Sequence, residues 1–301
     1  MKIKIVAIII SCFFLSCSSN KLQPVSTKEK VTLPKNDQFN AYWYSGKAEL
    51  NSYELEQSRY GEIRNGEVVL VFVTEPFSLS KQVKLDYPQK AEKDKVSVMK
   101  LNHIRKFKTG IYDYSIMNSI FTPIDAQNHP NTLKLNTSIQ EWCGHTFTQL
   151  NLEENSYHYK QLSYFESEGD TETTIAKGLL EDELFTRIRL NEGKLPLGEI
   201  DLIFSVLYSR SSHQKLQVAK AKISKTESDD VLKYKIEYAN FNRIVTIDVQ
   251  NKFPFKILSW TENNGDGLLT KAVLKKSIKE AYWSKKKVSD EAKRKELQLV
   301  W

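Results

Sequence analysis

The segment Gln140-Glu141-Trp142-Cys143-Gly144-His145 holds the residue types that thiol chemistry needs. A histidine beside a cysteine can lower the thiol pKa and act as a general base. In an extended strand Glu141, Cys143 and His145 share a face, with ~6.8 Å between neighbours two apart. Cys143 and His145 are therefore the candidate catalytic pair. Glu141 and His145 would stand ~13.5 Å apart, too far to share one metal or one relay unaided. The other reading of the same residues is a strand with a buried core cysteine.

Other chemistry-bearing residues point less far. His103, His129, His158 and His213 show neither HExxH nor paired spacing, so no metal site is expected. Glu166, Glu168, Asp170 and Glu172 alternate around Gly169, but EF-hand spacing is absent and a solvated acidic loop is the expectation. Gly61 and Gly66 have phosphate-loop spacing, yet Glu67 and Val68 stand where Lys and Ser or Thr belong. Asn65-Gly66 instead suits a type I′ hairpin turn, with Tyr60 to Arg64 as the partner strand. The chain has only 11 Gly and 8 Pro in 301 residues, which argues against folds built on glycine-rich phosphate loops. No cofactor is expected.

Lys and Arg number 44 against 37 Asp and Glu, and the excess gathers near the C-terminus. Lys275, Lys276, Lys279, Lys285, Lys286 and Lys287 form a candidate surface for membranes or other anions, at ~1 kcal/mol per base near anionic lipid. The plainer reading is a solvated face. Nucleic acid is not an expected partner.

Strand signals dominate the elements that must position these residues. Runs of β-branched and aromatic residues at roughly ten-residue spacing predict antiparallel all-β architecture. They lie at 67–75, 96–107, 111–121, 133–150 and 157–165, then at 200–208, 216–225, 232–238, 244–249, 255–261 and 268–282. Asn263 to Gly267 reads as a turn. Leu180, Leu184 and Ile188 recur at helical spacing and predict a helix over 176–190. A charged helix over 290–299, capped by Ser289, is expected at the end. The fold class is mainly β, with antiparallel curved sheets or half-barrels and one or two short helices. Tyr42, Trp43, Tyr44, Tyr112, Tyr114, Phe121 and Trp260 could line a concave face that holds an acyl chain or hydrophobic peptide.

The first residues read as an address. Lys2 and Lys4 precede an apolar run from Ile5 to Leu15, too short for the ~20 residues that span a bilayer. Leu15-Ser16-Cys17 then resembles a lipobox, so Cys17 is the expected lipidation site and membrane anchor. In lipoproteins of the kind this segment resembles, acidic residues after the cysteine favour export to the cell surface; none precedes Glu29 here, so that resemblance implies the periplasmic face of the outer membrane. The organisation is then a signal peptide (1–16), lipidated cysteine and tether (17–38), N-terminal β section (39–175), helix plus C-terminal β section (176–288) and charged tail (289–301).

GKAELNSYELEQSRYGEIRNGEVVLVFVTEPF (46–77), GIYDYSIMNSIFTP (110–123) and SIQEWCGHTFTQL (138–150) resemble uncharacterised lipoproteins of Bacteroidota. Such proteins often carry the label "septum formation inhibitor Maf". Maf proteins are cytoplasmic nucleotide pyrophosphatases with an N-terminal Ser-Pro-Arg-Arg motif, which this sequence lacks, so no Maf site residue is carried over. The segment Phe253-Pro254-Phe255-Lys256-Ile257 and the last strand also look like periplasmic lipoprotein carriers, an analogy of fold alone. The expectation is a non-catalytic, membrane-anchored β scaffold that binds a hydrophobic envelope ligand or an envelope protein. The alternative is an envelope hydrolase or thiol enzyme using Cys143 and His145. A Maf-type pyrophosphatase ranks last.

Overall fold

The computed structural model describes residues 37–300. The N-terminal strands are β1 (Ala48–Arg59), β2 (Glu62–Ser78), β3 (Lys95–Thr109), β4 (Tyr112–Pro123), β5 (Lys134–Glu141), β6 (Gly144–Leu152), β7 (Ser156–Ser163) and β8 (Thr171–Ala176). The C-terminal strands are β9 (Leu179–Leu180), β10 (Gly198–Ile203), β11 (Val218–Glu227), β12 (Val231–Tyr238), β13 (Ile244–Gln250), β14 (Ile257–Asn263) and β15 (Leu269–Glu280). Among the described residues four short α-helices accompany them: α1 (Asp37–Trp43), α2 (Leu184–Leu190), α3 (Val206–Ser212) and α4 (Ala292–Glu296).

All fifteen strands belong to one open sheet, ordered β8-β7-β6-β5-β4-β3-β2-β1-β15-β14-β13-β12-β11-β10-β9. Neighbours are antiparallel except the short β9–β10 pair. The two predicted β sections are halves of this sheet, joined where β1 pairs with β15. Only Lys177 and Gly178 separate the two edge strands, β8 and β9, along the chain. Three Cα steps span at most ~11 Å, so the sheet curls until its edges approach at that end.

Side-chain alternation decides which face turns inward. In β12, Leu232, Tyr234 and Ile236 are buried while Lys233 and Lys235 are exposed. Their partners in β13, Val249, Ile247 and Val245, are buried too. The main core lies inside the curl and includes Leu184 and Ile188 of α2. A buried ion pair fixes α2 there. Arg189 donates to Glu49 of β1 at 2.5 Å, and both side chains are fully buried. Burial opposes charge on Glu49, but Arg189 and hydrogen bonds from Tyr42 and Asn51 outweigh it and hold the carboxyl below its ordinary pKa. The arginine also lies over the rings of Trp43 and Phe72.

A smaller core sits on the outer face, where Leu50, Val71 and Val73 pack with Leu297 of the C-terminal segment. Ser52 Oγ donates to the Leu297 carbonyl, and the Val300 N–H donates to Glu67.

Several local expectations change. The first hairpin turns at Tyr60-Gly61, both with positive φ (55° and 75°), as a type I′ turn requires. Gly66 lies inside β2, where an added Cβ would sit 2.2 Å from the Lys106 carbonyl oxygen. Close backbone approach, not turning, is its role. The run 133–150 is two strands, because Trp142-Cys143 forms a two-residue hairpin loop. The strand expected to end at Tyr208 stops at Ile203, and α3 takes over after Ser205. The Ser205 hydroxyl accepts from the Leu207 N–H, a cap that competes successfully with continued extension. The terminal helix is short, with a 3-10 turn over Val288–Glu291 leading into α4.

Candidate functional site

The hairpin loop separates Cys143 from its expected setting. In the β5–β6 hairpin, Gln140 pairs with His145 and Glu141 with Gly144. Cys143 is exposed at the tip, not buried in a core. Its backbone N–H donates to Glu141 at 2.7 Å. The Glu141 carboxylate, by a side-chain hydrogen bond and by its charge, pushes the thiol pKa up. A nucleophilic cysteine needs the opposite shift. His145 lines a cleft whose wall does not include Cys143.

That cleft opens to solvent, and the space in and above it amounts to about 610 Å³. One wall is the inner face of β3, β4 and β5, through Phe107, Tyr114, Ile116 and Ile139. Phe107 and Tyr114 stack with centroids 4.8 Å apart and planes 7° from parallel. Phe165, Leu207 of α3 and Arg210 close the other side. Glycine matters at Gly144, where an added Cβ would strike the Tyr164 ring at 2.5 Å.

Three arginines line this cleft beside its apolar wall. Arg105 Nη1 donates to Gln57 at 2.8 Å and Nη2 to Glu262 at 2.6 Å. Arg210 Nη1 donates to Glu168 at 2.7 Å, and its guanidinium lies 4.5 Å above the Phe165 ring. Arg59 Nη1 donates to the Ser211 carbonyl at 2.9 Å, while Nη2 reaches the hydroxyls of Tyr60 and Tyr114. Glu168, expected in a solvated acidic loop, also meets His213 at 2.9 Å.

Beneath the cleft a buried polar network continues from Arg105 and Glu262. Burial opposes the charge on Glu262, but Arg105 and Arg243 outweigh it and hold the carboxyl at about 2. Arg243 pairs with Glu181, which also accepts the Tyr238 hydroxyl at 2.6 Å. Asp182 accepts from Asn118, the Ser205 hydroxyl and the Val206 N–H, tying β4 to the start of α3. Burial, reinforced by neighbouring Glu181, lifts Asp182 to about 7. His103 is buried with its Nε2 unpartnered. Burial, then the charge of Arg105, holds its pKa down at about 3, so the ring is neutral and packs against Phe185 and Trp260.

The mouth of the cleft lies at one end of the sheet. Four successive hairpin tips there expose Tyr60, Ile111, Trp142 and Tyr164, at 57%, 84%, 68% and 70%. So large an apolar side chain at every tip is more than solubility requires.

The other expected residues are placed as follows. Cys17 and the predicted signal and tether up to residue 36 lie outside the described residues. Lys285, Lys286, Lys287 and Lys276 are exposed, but Lys275 donates to the Gln298 carbonyl at 2.7 Å. Lys279 turns toward α1, over the Tyr42 ring, and burial lowers its pKa. Of the expected aromatic lining, Tyr114, Trp260 and Trp43 face the main core, whereas Phe121 stacks on Phe77 and Tyr44 is exposed. Among the described residues no group of three His, Cys, Asp or Glu side chains could hold a metal ion.

The cleft arginines are the residues that sequence patterning missed. Arg105 sits at an inward position between His103 and Phe107, and an inward arginine in a strand requires a partner. That signal was present; the partner, Glu262, lies 157 residues away. Comparison with protein-family models, curated proteins and solved structures finds no match.

Proposed function

We propose that this chain is a non-catalytic, lipid-anchored protein of the cell envelope whose curled sheet holds an apolar or amphipathic ligand. The observation that supports this reading is the cleft between the inner sheet face and α3, with its stacked Phe107 and Tyr114 and its side opening at the hairpin tips. The ligand enters between those tips and lies along Ile116, Ile139 and Leu207. Among the described residues no helix is long and apolar enough to cross a membrane. In this reading Cys17, in its lipobox-like setting, carries the anchor, with the outer membrane as its site and the periplasmic face as its side.

Two experiments test it. Binding of the uncharged fluorophore N-phenyl-1-naphthylamine to the purified protein should be saturable and competed by long-chain alcohols. Absence of saturable binding contradicts the ligand role. Cells fed an alkyne palmitate analogue should label the wild type and not Cys17→Ala. Equal labelling of both removes the anchor.

A further inference from the structure

We propose that the cleft selects amphiphiles with an anionic head group, a carboxylate or phosphate monoester, and that Arg59 reads that head. The proposal rests on the cleft being a ligand site and names the ligand class it takes.

The argument is one of unpaired charge. Of the three arginines in the cleft, Arg105 is neutralised by Glu262 at 2.6 Å and Arg210 by Glu168 at 2.7 Å. Among the described residues Arg59 has no carboxylate within 4.0 Å. Glu141 also lines the cleft, but it makes no ion pair with Arg59 within 4.0 Å, and its Oε2 accepts from the Cys143 N–H. The acceptors that Arg59 does have are a backbone carbonyl and two phenol oxygens, all formally neutral. Its Nε–H is buried and has no acceptor. Arg59 is half-buried, so its guanidinium is partly shielded from water yet open to a bound anion, which would supply the missing counter-charge.

The position is also right for a head group. Arg59 closes β1 beside the Tyr60-Gly61 turn, at the open end of the cleft. Phe107, Ile116, Ile139 and Leu207 supply an apolar wall beyond it. Arg59 is held in place, because its guanidinium lies 4.3 Å from the Tyr60 ring centre and the Tyr60 and Tyr114 hydroxyls bond each other at 2.8 Å. A prepositioned fork donates to a carboxylate or phosphate in charge-assisted bonds, which are roughly twice as strong as neutral ones. An uncharged head offers no such gain.

The test is calorimetric titration of the purified protein with chain-matched probes. These are dodecanoate, dodecyl phosphate and dodecanol, with acetate and inorganic phosphate as heads without tails. The expected result is at least tenfold tighter binding of the two anionic amphiphiles than of dodecanol, and no measurable binding of acetate or phosphate. Arg59→Gln should abolish the preference, and an unchanged far-ultraviolet circular dichroism spectrum shows that the variant is folded. Arg59→Lys should keep most of it. Equal binding of dodecanol and dodecanoate overturns the head-group proposal and leaves the cleft reading standing. A preference that survives in Arg59→Gln overturns the role of Arg59. Head groups that bind as tightly as the full amphiphiles overturn the amphiphile class. Failure of every dodecyl probe overturns both the proposal and the cleft reading.

Discussion

Arg105 on β3 and Glu262 on β14 meet at 2.6 Å, although three strands (β2, β1 and β15) stand between them in the sheet. In a flat sheet four strand spacings would separate them by ~19 Å. The contact therefore measures the curl of the sheet and ties its two halves across the inner face. Glu262 also faces Arg243 at 3.7 Å and accepts the Trp260 indole N–H.

Removing one partner of this pair leaves a buried charge. Arg105→Met should lower unfolding free energy by ~3–5 kcal/mol in urea titrations. The double variant Arg105→Met, Glu262→Met should recover much of that loss. A single-variant effect below ~1 kcal/mol would show that the pair does not hold the curl.

Acid and base should act on opposite ends of the network. Glu262 is depressed to about 2, so its stabilisation is present above the ordinary carboxylate range and fades as pH falls toward 2. Asp182 is raised to about 7, so its contribution is full below its unfolded pKa of 3.8 and is lost as pH rises through 7. Asp182→Asn should therefore flatten the decline in stability between pH 4 and 8, measured by urea melts across that range. An unchanged slope in the variant would exclude Asp182 as its source.

The two glycines near the first hairpin should fail for different reasons. Gly66→Val brings a side chain onto the β3 backbone and should lower stability by ~1–3 kcal/mol. Gly61→Val meets no neighbour but occupies φ 75°, so its penalty is backbone strain of ~1–2 kcal/mol. Asn65→Ala, outside the turn, should be nearly neutral. Thermal or urea melts of the three variants check this, and a large loss in Asn65→Ala would return the turn to Asn65-Gly66.

Cys143 should react with thiol reagents in the folded protein, because it is exposed, but slowly near neutral pH. Glu141→Gln removes the carboxylate that raises the thiol pKa and should speed iodoacetamide labelling at pH 7 to 8. Unchanged kinetics would mean that another group sets the thiol.

What was legible in the sequence follows the range of each interaction. Strands such as β12 and β13, which alternate one face in and one out, announce themselves through period-two burial. The β5–β6 loop did not, because Trp142 and Cys143 are ordinary strand residues and no glycine or proline marks the turn between Glu141 and Gly144. Gly66 misled for the complementary reason: Asn-Gly favours a turn, but the tertiary close approach of β3 claims the glycine first. Of the cleft, the sequence carries one local signal, Arg105 at an inward strand position between His103 and Phe107. Arg59, Arg105 and Arg210 become neighbours only because the sheet curls and α3 folds inward, and the carboxylates that pair with Arg105 and Arg210 lie far away in the chain.

Photoaffinity labelling tests the cleft most directly. A diazirine analogue of hexadecanoate, irradiated with the purified protein, should place adducts on the peptides that carry Phe107, Tyr114, Ile116 and Leu207, and excess dodecanoate should suppress them. Adducts confined to the outer-face residues Leu50, Val71 and Val73, or no competable adduct anywhere, would contradict a ligand site inside the curled sheet.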